Sequence, residues 1–210
     1  MSGRFVTLEG IEGAGKSTAA RHVARSLAAG GRAVVATREP GGTPLAERVR
    51  ALVLERGAET LSPVSETLLM FAARAVHLTN LIRPALARGE WVVCDRFTDA
   101  TRAYQGSGRG VDPALIGALA QAVHGDLAPD LTLLLDLPVS AGLARARARS
   151  GSASDRFESE TVEFFERVRA GYLAIAHAEP ARVRIIDAAA ALPEVERQID
   201  AALVQLAGRA

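Results

Sequence analysis

The chain is short of cysteine, of aromatic residues and of net charge, and each shortage excludes something. Of its 210 residues one is cysteine, Cys94, so no disulfide framework can form within the chain and a reducing compartment is the expected setting. Cys94 lies in the apolar run Trp91-Val92-Val93-Cys94, where a buried, inert thiol is expected rather than a nucleophile. Aromatic residues make up 4%, and 25 basic residues face 24 acidic ones for a net charge of +1. That balance argues against a nucleic-acid or membrane surface, though a local basic pocket is compatible with it. No apolar run approaches the roughly 20 residues that span a bilayer. Met1-Ser2-Gly3-Arg4-Phe5 does not read as the start of a signal peptide. Together these features predict a cytoplasmic protein. The four histidines, His22, His77, His124 and His177, fall far apart in segments that read as helices, so packing or surface roles are expected of them before metal ligation.

What is present is an alternation of short apolar runs with long helix-period segments. Phe5–Leu8, Ala33–Ala36, Trp91–Cys94, Leu131–Leu135 and Val183–Ile186 read as strands. Most are continuously apolar, as in strands buried on both faces of a parallel sheet. Helices are expected over Ser17–Ala29, Pro44–Glu55, Ser65–Arg88, Asp112–His124, Val139–Arg149, Ser159–His177 and Pro193–Leu206. Ser62-Pro63-Val64-Ser65-Glu66 resembles a capped helix start. The β-then-α order predicts one α/β domain over residues 1–210, a five-stranded parallel sheet with helices on both faces. Ser150-Gly151-Ser152-Ala153-Ser154 is the clearest flexible joint.

Chemistry enters at Gly10-Ile11-Glu12-Gly13-Ala14-Gly15-Lys16-Ser17-Thr18. Two glycines spaced for a tight loop, then Lys and Ser, follow a strand and open a helix, which is the P-loop arrangement. Glycines let successive N–H groups turn inward at phosphate oxygens, and the helix N-terminus adds its dipole. Lys16 can reach β and γ phosphates, and the Ser17 hydroxyl can ligate Mg²⁺. Nucleotide binding on a P-loop NTPase fold follows. The loop alone does not separate a switch GTPase, a motor ATPase and a small-molecule kinase.

Four further segments make that choice: Arg38-Glu39-Pro40-Gly41-Gly42-Thr43, Met70-Phe71-Ala72-Ala73-Arg74, Asp95-Arg96-Phe97 running on through Thr101 and Tyr104-Gln105-Gly106, and Arg145, Arg147 and Arg149 ahead of Asp155-Arg156-Phe157. In order and spacing, from about Phe5 to Asp187, the chain resembles the bacterial thymidylate kinases. The resemblance implies transfer of the γ-phosphoryl group of ATP to dTMP, with Mg²⁺, in a homodimer. Under it Arg96 grips the acceptor phosphate, which suits a planar guanidinium that can hold two oxygens. Asp95 approaches Mg²⁺ directly or through water, and Glu39 carries an acid toward the same region. Pro40 shapes the loop that lines the pocket. Arg74, Phe71, Thr101 and Gln105 choose the base, Arg74 because donors alone favour the thymine O4 carbonyl over an exocyclic amine. Met70 stands where some relatives carry the aromatic, so either Met70 or Phe71 is a candidate for the base. Tyr104 crowds the 2′ side of the sugar, and Glu12 faces the 3′-hydroxyl.

Some members of that family carry a catalytic arginine in the P-loop, whereas here Gly13-Ala14 occupies the place. The resemblance then shifts catalytic charge to a mobile lid around 145–157, with Arg149 and Arg156 at the transferring phosphate and Arg145 in support. Two alternatives stand beside this reading: a kinase preferring another nucleoside monophosphate such as dUMP, and a nucleotide-binding module without phosphotransfer.

Overall fold

The computed structural model describes residues 3–55, 59–150, 157 and 160–208, with residues 149 and 150 described by their backbone alone. Five parallel strands, β1 (Phe5–Glu9), β2 (Val34–Arg38), β3 (Trp91–Asp95), β4 (Leu131–Asp136) and β5 (Val183–Asp187), form one sheet in the order β2-β3-β1-β4-β5. Every residue of β1 is buried, so both faces of the sheet are covered, as a parallel sheet requires. Alternation in β3 shows the two sides: Val92 and Cys94 pack with Phe5, Leu78 and Ile82, while Trp91 and Val93 face the main core with Leu133, Phe165 and Ile199.

Each strand runs one or two residues past the apolar stretch that marks it in the sequence and stops on a charge: Glu9, Arg38, Asp95, Asp136 or Asp187. These five charges stand along the carboxyl edge, where open α/β sheets bind ligands. β1 leads to β2 on one side of the sheet and β3 leads to β4 on the other, so the switch point lies between β1 and β3. The P-loop follows β1 and the Asp95-Arg96-Phe97 turn follows β3, which brings both motifs to that point.

Helices α1 (Lys16–Ala29), α2 (Pro44–Leu54), α6 (Pro113–Val123), α7 (Val139–Ser150), α8 (Val162–Ala178) and α9 (Leu192–Ala207) lie close to their expected positions. The expected long third helix is three pieces: α3 (Pro63–His77), a π-helical turn over Leu78–Ile82, and α4 (Arg83–Ala87). Ser62 caps α3 by accepting from the Ser65 amide at 3.0 Å, with Pro63 at the first helical position. The widened turn precedes Pro84, which has no amide to donate and whose ring would strike a carbonyl one turn earlier in a regular helix.

Absent from the expected helices is the segment α5 (Thr98–Thr101) with its π-helical continuation Arg102–Gly108. Gly106 and Gly108 give it poor helix propensity, and tertiary packing overrides that weakness. Helix α8 lies on it, and contact is close at two glycines. A Cβ on Gly108 would come within 2.6 Å of Phe164 and 2.9 Å of Val168, and one on Gly171 would run into Ser107. That approach carries Tyr104 and Tyr172 to the same place. Gly108→Val is expected to destabilise the fold by about 1–3 kcal/mol through overpacking, read as a lower urea midpoint with an unchanged slope.

Candidate active site

The P-loop curls over the carboxyl end of β1 with Gly10, Gly13 and Gly15 at φ of +136°, +75° and +91°. Gly13 packs under α7, where a Cβ would run into the Gly142 carbonyl. Ile11 and Ala14 are buried, Ile11 and Ala14 both in the main core, which anchors the loop from below. Lys16 Nζ donates to the carbonyls of Gly10 at 3.1 Å and Ile11 at 2.8 Å. Burial, with Arg96 nearby, lowers the Lys16 ammonium to about 8 against the opposing pull of Asp95, Glu12 and Glu9. Ser17 Oγ donates to Asp95 Oδ2 at 3.3 Å. Glu12, Lys16, Ser17, Thr18, Asp95 and Arg96 border one polar cavity in front of the loop, together with Arg21, Arg38, Glu39 and Arg50.

Arg96 is the one non-glycine residue with positive φ, +75°, among the described residues. Such a conformation costs about 1 kcal/mol or more for an L-residue and persists only where surroundings impose it. Here they do. Its Nη1 donates to the Gly10 carbonyl at 3.1 Å and the Tyr172 hydroxyl at 3.0 Å, its Nη2 to Glu12 at 2.8 Å and the Tyr104 hydroxyl at 3.0 Å. The guanidinium also lies 4.6 Å from the Tyr104 ring centre. Burial by itself would raise the Glu12 carboxyl, but Arg96, Lys16 and the Tyr104 hydroxyl outweigh it and hold it below the ordinary carboxylate value.

Behind Arg96 sits Glu9, fully buried at the end of β1. Its carboxyl accepts from the Phe97 amide at 2.7 Å and from the Tyr172 hydroxyl at 2.8 Å. Glu9 and Tyr172 therefore brace the turn that carries Arg96, one through the backbone and one through the guanidinium. Desolvation, helped by Asp99 and opposed by Arg96, pushes Glu9 up to about 8.

A second cavity adjoins the first, and Glu12, Glu39, Arg50 and Arg96 border both. Pro40, Arg74, Thr101, Tyr104 and Gln105 complete its polar side, with Met70 and Phe97 among its apolar walls. Arg74 enters from α3, held by Glu39 Oε2 at 2.7 Å and donating to Thr101 Oγ1 at 3.1 Å. His77 Nδ1 fixes the other Glu39 oxygen at 3.0 Å, and Thr37 meets His77 Nε2 at 2.7 Å. Arg74 Nη1 is buried without a hydrogen-bond partner among the described residues. Phe71 does not line this cavity. It is buried with Val111, Ile116 and Ala120, behind Arg74, whose guanidinium stands 4.8 Å from its ring centre. One residue of helix rotation decides this: in α3 Met70 faces the cavity and Phe71 turns to the core.

A third cavity lies on the other side of the P-loop. Ala14, Gly15, Thr18 and His22 form its floor, with Arg145 and Ala188 opposite. Arg145 Nη1 donates to the Ala188 carbonyl at 3.0 Å, which places it here and not on the phosphate cavity. Arg149 ends near the close of α7 with its side chain outside the described residues, and Arg156 and the joint over 151–154 lie outside them too. Glu9, Arg50, His77 and Tyr172 escape sequence reasoning, since none belongs to a loop motif. Only the unusual placement of an acid within the apolar run Phe5–Glu9 signals one of them.

Residues matching the family description "Thymidylate kinase" run from 8 to 199. The chain belongs to the thymidylate kinase family. A thymidylate kinase from Pseudomonas syringae pathovar syringae is 59% identical over 98% of this chain and 97% of its own length. One from Pseudomonas fluorescens is 57% identical over 100% and 99%. The crystal structure of thymidylate kinase from Ehrlichia chaffeensis superposes with a TM-score of 0.77 at 36% identity, covering 97% of this chain and 99% of that one.

Glu9 makes the stability of this family member fall with pH. Its folded value of about 8 lies above the ordinary 4.5, so between those values the unfolded chain has released a proton that the folded chain retains. Stability declines as pH rises through that window and the contribution levels off above about 8. In Glu9→Gln that declining component is expected to vanish, measured as the difference between urea midpoints of the two proteins from pH 5 to 8.5.

Proposed function

We propose how this chain, an ATP-dependent nucleoside monophosphate kinase, transfers the γ-phosphoryl group of ATP to dTMP, giving dTDP and ADP. The observation that carries the reading is the series of three cavities. The Ala14–Arg145 cavity shares Gly15 and Thr18 with the phosphate cavity, and the phosphate cavity shares Glu12, Glu39, Arg50 and Arg96 with the Arg74–Gln105 cavity. A donor nucleotide fits the first with its phosphates over the P-loop. An acceptor fits the last, so that its phosphate meets the donor's γ-phosphate at the shared residues.

Phosphoryl transfer needs alignment and charge stabilisation more than covalent chemistry. Lys16, freed from the Gly10 and Ile11 carbonyls, holds the donor phosphates. Arg96, already desolvated, takes the acceptor phosphate by exchanging some of its four present hydrogen bonds, those to the Gly10 carbonyl and Glu12 among them, for phosphate oxygens. Ser17 and Asp95 bring a hydroxyl and a carboxylate together beside the P-loop. This oxygen pair suits Mg²⁺, which takes few protein ligands and fills its shell with phosphate oxygens and water. When bound, the ion neutralises charge on the donor phosphates. Tyr104 and Glu12, hydrogen-bonded to each other, face the sugar. Arg74 Nη1, buried and unpaired, supplies the donor for a pyrimidine O4, with Met70 and Phe97 as apolar walls for the ring.

Exposed Leu45 and Leu52 on α2 and Val64 and Leu68 on α3 form an apolar face beside the acceptor cavity, and a homodimer covering it accords with the family. A coupled assay with ATP, Mg²⁺ and a panel of monophosphates tests the reading. Turnover of dTMP should exceed that of CMP and GMP by at least about a hundredfold, from two unpaired buried groups at the wrong base; preference for GMP or CMP would overturn it. Arg149→Ala and Arg156→Ala should depress kcat with little change in ATP binding, and unchanged turnover in both removes the lid from the mechanism.

A further inference from the structure

Gln105 faces the acceptor cavity, and the residue behind it decides which end of its amide can do so. Glu66 in α3 is completely buried, and its Oε1 accepts from Gln105 Nε2 at 2.6 Å. Arg109 Nε lies 3.2 Å from the same oxygen, and Arg109 in turn pairs with Glu160 at 2.8 Å and stands 4.9 Å from the Phe164 ring centre. A buried carboxylate is tolerated when a cation accompanies it, and an ionised carboxylate can only accept hydrogen bonds. The end of the Gln105 amide against Glu66 is therefore nitrogen. Gln105 Oε1 is left with no hydrogen bond among the described residues, and it is not among the sealed, unpaired atoms. The carbonyl is the end available to a ligand in the cavity.

We propose that Glu66 is a specificity-determining positioning residue: by holding the Gln105 nitrogen, it presents the Gln105 carbonyl to the N3–H of a pyrimidine base. This rests on the reading of that cavity as the acceptor-base site. The cavity then offers one acceptor, Gln105 Oε1, and beside it Arg74, whose buried, unpaired Nη1 is a donor that an incoming base must uncover. Thymine and uracil match both with O4 and N3–H. Cytosine mismatches both, since its exocyclic amine meets the arginine donor and its unprotonated N3 meets the carbonyl. Glu66 touches no substrate in this scheme. It discriminates by removing the alternative amide orientation, in which a nitrogen would face the base and admit cytosine.

The test compares kcat/KM for dTMP, dUMP and dCMP, at saturating ATP and Mg²⁺, in the full-length wild type, Glu66→Gln, Gln105→Leu and the double variant. A glutamine at position 66 can turn either end toward Gln105, so the orientation is no longer dictated. The dTMP-to-dCMP preference should fall roughly tenfold or more, the dTMP-to-dUMP ratio and the KM for ATP should hold, and the effect should disappear in the Gln105→Leu background. A preference unchanged in Glu66→Gln while Gln105→Leu loses it overturns the proposal alone. An effect of equal size with and without Gln105 also overturns it, because that marks a structural role. If Gln105→Leu itself phosphorylates dTMP normally, the base-site reading fails and the proposal with it. Should Glu66→Gln not fold, the wild type serves: on titration with dTMP the Gln105 side-chain carbonyl carbon should shift while its amide nitrogen hardly moves, and the reverse pattern overturns the proposal.

Discussion

The site depends on holding one arginine in a backbone conformation it would not choose. Arg96 follows β3 and must aim at the P-loop, which follows β1, and an extended continuation of the strand would carry its side chain elsewhere. The left-handed turn corrects the direction. Its cost is met by four contacts drawn from three parts of the chain: the Gly10 carbonyl and Glu12 in the P-loop, Tyr104 from the π-helical segment, and Tyr172 from α8. Glu9 ties the same turn to β1 through the Phe97 amide. Remove the packing of α8 on the Thr98–Gly108 segment at Gly108 and Gly171, and two of those contacts lose their support. In this sense glycine contacts far from the P-loop determine where the Arg96 guanidinium stands.

The buried charges around Arg74 fix geometry more than they add stability. Glu39 and Arg74 form a buried pair at 2.7 Å, and a pair of this kind gains little over a well-packed apolar substitute once both groups are desolvated. What it does achieve is geometry. With Nε on Glu39 and Nη2 on Thr101, Arg74 has Nη1 to spare, buried and unpaired beside the cavity that Arg74 lines. Thr37 and His77 extend the same logic one layer outward by fixing the second Glu39 oxygen. A carboxylate carries a polar network from the strand edge to the cavity on each side: Glu39 for Arg74, and Glu66 for Gln105.

Much of this is legible in the sequence. The five strands, their parallel order and most helices follow from apolar runs and helix periods, and the P-loop, Asp95-Arg96 and Arg74 are recoverable from motif and resemblance. The segment Thr98–Gly108 was not, because its conformation is imposed by α8 and its own glycines argue against a helix. The strand ends were also misjudged, since apolar patterning stops one residue before the charge that matters at Glu9, Asp95 and Asp136. Phe71 and Met70 could not be ranked from spacing, because which of two adjacent helix positions meets a cavity depends on how α3 rotates against α2 and α6. His77 and Tyr172 carry no motif at all; a side chain that acts through another leaves its mark only in three dimensions.

One absence in the sequence gains a physical reason from the structure. The P-loop of this chain has Gly13-Ala14 and no arginine, and Gly13 is closed to a side chain twice over. Its backbone is left-handed at φ +75°, and a Cβ there would collide with the Gly142 carbonyl of α7. The closure is mutual, since a Cβ on Gly142 would come within 2.7 Å of the Glu12 carbonyl and 2.9 Å of Ile11. Two glycines thus let α7 lie directly against the P-loop. The same helix carries Arg145 onto the adjoining cavity and runs on through Arg149. Excluding a side chain from the loop and bringing the arginine-bearing helix up to it are therefore one structural choice.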